Sequence, residues 1–163
     1  MNEFKFWHII EEAWAAAPAL LEMRNTALKT NDAALIEDLT GEVYGTITNN
    51  IRDLLRELNR EELTAFNHIM EERLFHIDRE DIHQYTDGSD DSFLYCRCFI
   101  VGMGREYYEM IDETPSKATY DAEAEIVGFI GYIVYQELFG VEFERNTVHC
   151  IETCSNARGW ESQ

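Results

Sequence analysis

The chain has 163 residues, 45% of them apolar, enough for one domain to bury a core without metal or disulfide staples. Thirty-two acids against thirteen Lys and Arg give a formal charge of −19. A charge of that size repels nucleic acid and anionic membrane surfaces, and attracts basic protein surfaces through a salt-sensitive field.

The acids are spread along the chain, so they read as solvated helix faces rather than as a detachable acidic arm. Residues 1–7 lack a basic start followed by an apolar run, so no export signal is expected. The longest apolar stretch, 126–140, is shorter than the roughly 18–20 residues that a membrane-crossing helix needs. Four cysteines in such a chain are expected to be reduced thiols in a cytoplasm.

Trp7, Ile10 and Trp14 recur at helical spacing and predict a first helix over 3–16. Pro18 suits a helix start and predicts a second over 18–29. Leu35, Leu39, Val43, Ile47, Ile51, Leu54 and Leu58 form one stripe and predict a helix over 32–58. Gly41 and Gly45 inside it either break the helix or admit a close neighbour, and close packing is the preferred reading. Asn59 and Glu62 have the form of a capping box. The helix it opens, over 60–77, turns Leu63, Phe66, Met70, Leu74 and Ile77 inward.

A polar stretch from Asp78 to Asp90 interrupts the pattern. The next helix, over about 91–112, is apolar on most sides and is expected at the centre of the fold. Thr114-Pro115-Ser116 marks a turn before a helix over 121–139. Asn146 is read as the cap of a short last helix ending near 155, and Gly159-Trp160 as loose. The expected fold is all-α: a single compact multi-helix domain over 1–163, built around the 91–112 helix.

Two segments carry a resemblance: Ser89-Asp90-Asp91-Ser92-Phe93-Leu94-Tyr95-Cys96-Arg97, and Ile100-Val101-x-x-Gly104-Arg105-Glu106-x-Tyr108. Together they resemble the Ser-Asp-Asp-x-Phe…Arg…Gly-Arg-Glu signature of a bacterial family, domain of unknown function 4240. Phe6-Trp7-x-Ile9-Ile10, Glu62-x-x-x-Ala65-Phe66 and the Glu123-x-Glu125 helix fit the same pattern. The similarity is strong over roughly 62–140 and weak in the opening helix. The chain departs from the pattern over 78–86, where a Trp-rich run is usual, and at Cys98-Phe99, where Gly-Trp is common. The resemblance implies a bacterial, mostly helical, cytoplasmic domain and carries no activity.

Asp90 and Asp91 fall at the first turn of the 91–112 helix, where carboxylates satisfy orphan N–H groups and the helix dipole. Arg97 sits in an apolar stretch and needs a carboxylate if buried. Asp90, Asp91, Arg97 and Arg105 are therefore read as one ion-pair network. The functional alternative is an anion-binding pocket on Arg97 and Arg105. Asp87, Ser89 and Asp91 mimic the start of a calcium loop, but Ser92 replaces its Gly and Cys98 its bidentate Glu, which excludes calcium in that form.

His68, Glu72 and His76 repeat every four residues and are weak metal candidates, because the row lies opposite the apolar face. The cysteines, in the pairs Cys96/Cys98 and Cys150/Cys154, match no closed zinc spacing. Gly102-x-Gly104 follows no strand and reads as close helix packing rather than a phosphate loop. No nucleophile elbow, Walker or metalloprotease motif occurs.

The expected function is that of an acidic cytoplasmic binding protein acting on a basic protein partner. Its sharpest form is an immunity-type inhibitor without a cofactor. Phe75, Tyr85 and Trp160 are the candidate aromatic anchors. The alternatives are an enzyme or ligand-binding domain using the Arg97 and Arg105 pocket, and a DNA mimic that blocks a nucleic-acid enzyme. Direct binding to nucleic acid or to a membrane is not expected.

Overall fold

Polar side chains set several of the helix starts in the computed structural model, which describes residues 1–86 and 89–160 and, of Asp90, the backbone alone. Asn2 Oδ1 accepts from the Lys5 amide at 2.9 Å and opens α1 (Glu3–Ala15). Pro18 stands in the first turn of α2 (Pro18–Thr30), which ends at Asn31 in the left-handed region. Asp32 accepts from the Ala34 and Leu35 amides and opens α3 (Ala33–Asp38). A short α4 (Thr40–Glu42) and a π-turn (Val43–Ile47) lead into α5 (Thr48–Arg56).

The Asn59–Glu62 capping box is complete and opens α6 (Arg60–His76). After the short α7 (Glu80–His83) come α8 (Asp90–Gly102), α9 (Arg105–Glu113) and α10 (Glu125–Phe139). The described residues form an all-α domain with no strand, and no helix among them is long and apolar enough to cross a membrane.

α10 buries Val127, Ile130, Val134 and Tyr135 and packs against α5, α6 and α8. Gly131 permits the close approach to α6, since a Cβ there would collide with the Asn67 side chain. Phe6, Ile10 and Trp14 of α1, Phe66 and Leu74 of α6, and Phe93 and Phe99 of α8 join the same continuous core. Full burial of each large apolar side chain contributes about 1.5–3 kcal/mol, which offsets the self-repulsion of so acidic a chain.

Three predicted elements differ. The 91–112 helix is two helices, because Gly104 has φ +95 and turns the chain between α8 and α9. The 32–58 helix is divided, and the Thr48 hydroxyl donates to Val43 O at 2.7 Å within the π-turn. Leu39, Val43, Ile47 and Ile51 stay buried across it, while Gly41 and Gly45 face open space and admit no close neighbour. The predicted 121–139 helix begins at Glu125.

The last correction concerns the tail. Asn146 caps no helix: it has φ +60, and its Oδ1 accepts from the Ile151 amide at 3.1 Å. Residues 140–160 run as an irregular strap that ends in a short 3-10 turn, Ala157–Gly159. Trp160 is docked rather than loose, with its ring against His83 and Phe93.

Candidate functional site

Arg97 is fully buried. Its Nη1 donates to Leu74 O at 2.8 Å, and its Nη2 donates to Ile151 O at 3.0 Å and Thr153 Oγ1 at 3.3 Å. The Phe93 ring lies 4.8 Å from its guanidinium carbon. Its carboxylate is Asp78, 3.8 Å away and equally closed to solvent. Asp78 in turn accepts from the Cys154 and Asn156 amides at 3.2 and 2.9 Å and from Trp160 Nε1 at 3.0 Å. Burial pulls the Arg97 pKa below the ordinary arginine value, and the Asp78 charge works against that shift. The pair therefore clamps the strap onto α6 and α8, and Arg97, closed to solvent, does not line the α1–α9 cleft.

Arg105 lies elsewhere, exposed on α9, and its Nε donates to Glu109 Oε1 at 2.7 Å. That bond raises its pKa above the usual value. Ser89 Oγ accepts from the Ser92 amide at the start of α8, at 3.2 Å. Asp91 is exposed, and the side chain of Asp90 lies outside the described residues, as does Asp87. The structure thus separates Arg97 from Arg105 and draws the carboxylate of Arg97 from the loop after α6.

Of the expected anchors, Tyr85 is 44% exposed. Phe75 is half-buried beneath the strap, its ring 5.2 Å from that of His149. Trp160 is not an exposed anchor, since it is held by Asp78. The metal candidates have three different partners: His68 meets the Phe143 ring, Glu72 pairs with Arg73, and His76 meets Asp112. Among the described residues no group of three His, Cys, Asp or Glu is placed to hold a metal ion. The four cysteines form no disulfide, and burial pushes the Cys98 thiol up to about 12.

A cleft of about 600 Å³ lies between α1 and α9. Trp7 and Met110 give it apolar walls, and Phe4, 73% exposed, stacks on His8 at its mouth. At its inner end Arg24 donates to Glu11 Oε2 at 2.7 Å and to Met103 O at 3.1 Å. Glu11 Oε1 also accepts from the Arg105 amide at 3.3 Å and so satisfies an orphan N–H of α9. A Cβ at Gly104 would strike both the Glu11 carboxylate and the Arg24 guanidinium. Glu106 and Glu113 line the cleft and make no ion pair among the described residues.

A family model described as a protein of unknown function, DUF4240, matches residues 1–138. The chain belongs to the DUF4240 family. No curated protein and no solved structure matches it. The DUF4240 match takes in Asp78, Arg97 and every residue lining the α1–α9 cleft, and it includes the whole of α1. Ile151, Thr153, Asn156 and Trp160, which Asp78 and Arg97 hold, lie beyond it. Sequence reasoning missed this cleft because its walls come from distant segments. The available signal was Phe4, an apolar residue off the Trp7–Ile10–Trp14 stripe.

Proposed function

We propose that the protein is a cytoplasmic binding module that docks a basic, amphipathic segment of a protein partner in the α1–α9 cleft. Docking there neutralises the partner, as an immunity-type inhibitor does. The observation that carries this reading is the exposed Phe4 beside Trp7 and Met110, with the carboxylates of Glu106 and Glu113, which make no ion pair among the described residues, on the same cleft.

A Lys or Arg side chain matches such a surface in both its parts. Its aliphatic stem lies along aromatic and thioether walls, and its charged head reaches a carboxylate. The −19 charge of the whole chain then steers the encounter. Four cysteines without a disulfide suit a reducing compartment. Apolar walls favour this reading over the DNA-mimic form, which requires carboxylates alone.

The test is capture from a bacterial lysate at low salt by three tagged proteins. These are the wild type, a cleft variant (Phe4→Ala, Glu106→Lys, Glu113→Lys) and a control (Glu37→Lys, Asp38→Lys) that reverses exposed charges outside the cleft. One basic protein retained by wild type and control and lost from the cleft variant is the expected outcome. Equal loss from both variants, or no protein retained by the wild type, contradicts the reading.

A further inference from the structure

A second cleft, about 430 Å³, opens between α10, the π-turn and the start of the strap. It shares no lining residue with the α1–α9 cleft. Its size lies within the range of about 300–1,000 Å³ typical of small-molecule sites. Tyr44, Phe129, Tyr132 and Phe143 supply aromatic walls. Tyr132 and Phe143 stack with centroids 5.3 Å apart, and Phe129 meets Tyr132 edge-on at 5.9 Å. Tyr44 is 55% exposed and is carried on the π-turn, a distortion that re-aims side chains within a helix.

Arg145 is the cation of this cleft. Its guanidinium carbon lies 5.8 Å from the Phe129 ring and 5.6 Å from that of Tyr132. No described carboxylate pairs with it, although the chain carries 32 acids. Its position is built into the fold by Glu71. That carboxylate is fully buried, and its Oε1 accepts from the Tyr132 hydroxyl at 2.9 Å and the Asn146 amide at 2.8 Å. One buried side chain thus fixes both the ring beneath the guanidinium and the residue next to Arg145. Asn146 accepts the left-handed conformation at φ +60 in the same turn. Glu71 Oε2 is buried with no hydrogen-bond partner among the described residues.

We infer that this cleft binds a small planar aromatic carboxylate. The ring inserts among the aromatic walls, and the carboxylate receives paired hydrogen bonds from Arg145. Glu125 and Glu142 also line the cleft. Two nearby carboxylates repel a doubly charged phosphate more strongly than a singly charged acid, which disfavours nucleotides.

The test titrates naphthoate, and separately its neutral amide naphthamide, into the full chain by calorimetry. Saturable one-site binding of naphthoate is expected, with affinity weakened about tenfold or more for naphthamide and for Arg145→Gln, the loss of one charge-assisted contact. Tyr44→Ala should also weaken it, while Arg158→Gln, outside the cleft, should leave it unchanged. Circular dichroism checks that each variant stays helical. Absence of saturable binding, equal affinity for acid and amide, or equal losses in the Arg145 and Arg158 variants overturns the assignment. These results are independent of partner capture at the α1–α9 cleft.

Discussion

Asp78 Oδ1 stands 3.8 Å from the Arg97 guanidinium, and both side chains are closed to solvent. Removing one member of a buried pair leaves an uncompensated charge, which costs about 3–5 kcal/mol. Arg97→Met is expected to lower unfolding stability by about that amount in urea denaturation. Asp78→Asn should be destabilising too, and the double variant should cost less than the sum of the two. Hydrogen exchange should show the amides of Cys154 and Asn156, which donate to Asp78, losing protection in Asp78→Asn.

Gly104 and Gly41 should respond oppositely to alanine. Gly104 has φ +95 and lies against the Glu11–Arg24 pair, so Gly104→Ala is expected to cost about 1–3 kcal/mol. Gly41 is helical with nothing near its Cβ position, so Gly41→Ala should stabilise by about 0.5–1 kcal/mol. Thermal melts of the two variants decide both signs.

Acid sensitivity follows from two carboxylates. Burial raises the Glu137 pKa, but hydrogen bonds from Arg56 and Arg52 prevail and hold it below 4.5. Glu62 is held below 4.5 by Lys5 and by the Asn59 amide. A carboxylate with a lowered folded pKa stabilises above its unfolded value, and that contribution is lost as pH falls through the folded value. The difference in melting temperature between wild type and Glu137→Gln should therefore be full above pH 4.5 and shrink below it. A difference that grows in acid would contradict the assignment.

Thiol chemistry should separate the cysteines. Cys98 is fully buried with its pKa at about 12, whereas Cys154 is exposed. Iodoacetamide on the native protein at mildly alkaline pH should modify Cys154 and leave Cys98 intact, as read by mass spectrometry of the peptides. Cys98 should react once the chain is unfolded.

What the sequence made legible was local. The stripes of α1 and α6 and the Asn59–Glu62 box depend on residues a turn or two apart, and they hold. The break at Gly104 was illegible because a glycine in an apolar run also fits close helix packing, and the Glu11–Arg24 pair that lies against it is delivered by α1 and α2. Arg97 was rightly read as requiring a carboxylate if buried, yet its partner comes from a loop that no periodicity links to α8. Asn146 has the residue type of a helix cap, but Glu71 takes its amide and sets a turn instead. The α1–α9 cleft likewise exists only once the two helices are packed together.

Hydrogen exchange of the protein alone and in the complex captured at low salt tests the proposed docking most directly. Slowed exchange at the start of α1 and along α9, with 120–160 unchanged, is the predicted result. Protection confined to the strap or the Tyr44 cleft, with α1 and α9 exchanging as in the isolated protein, would contradict it.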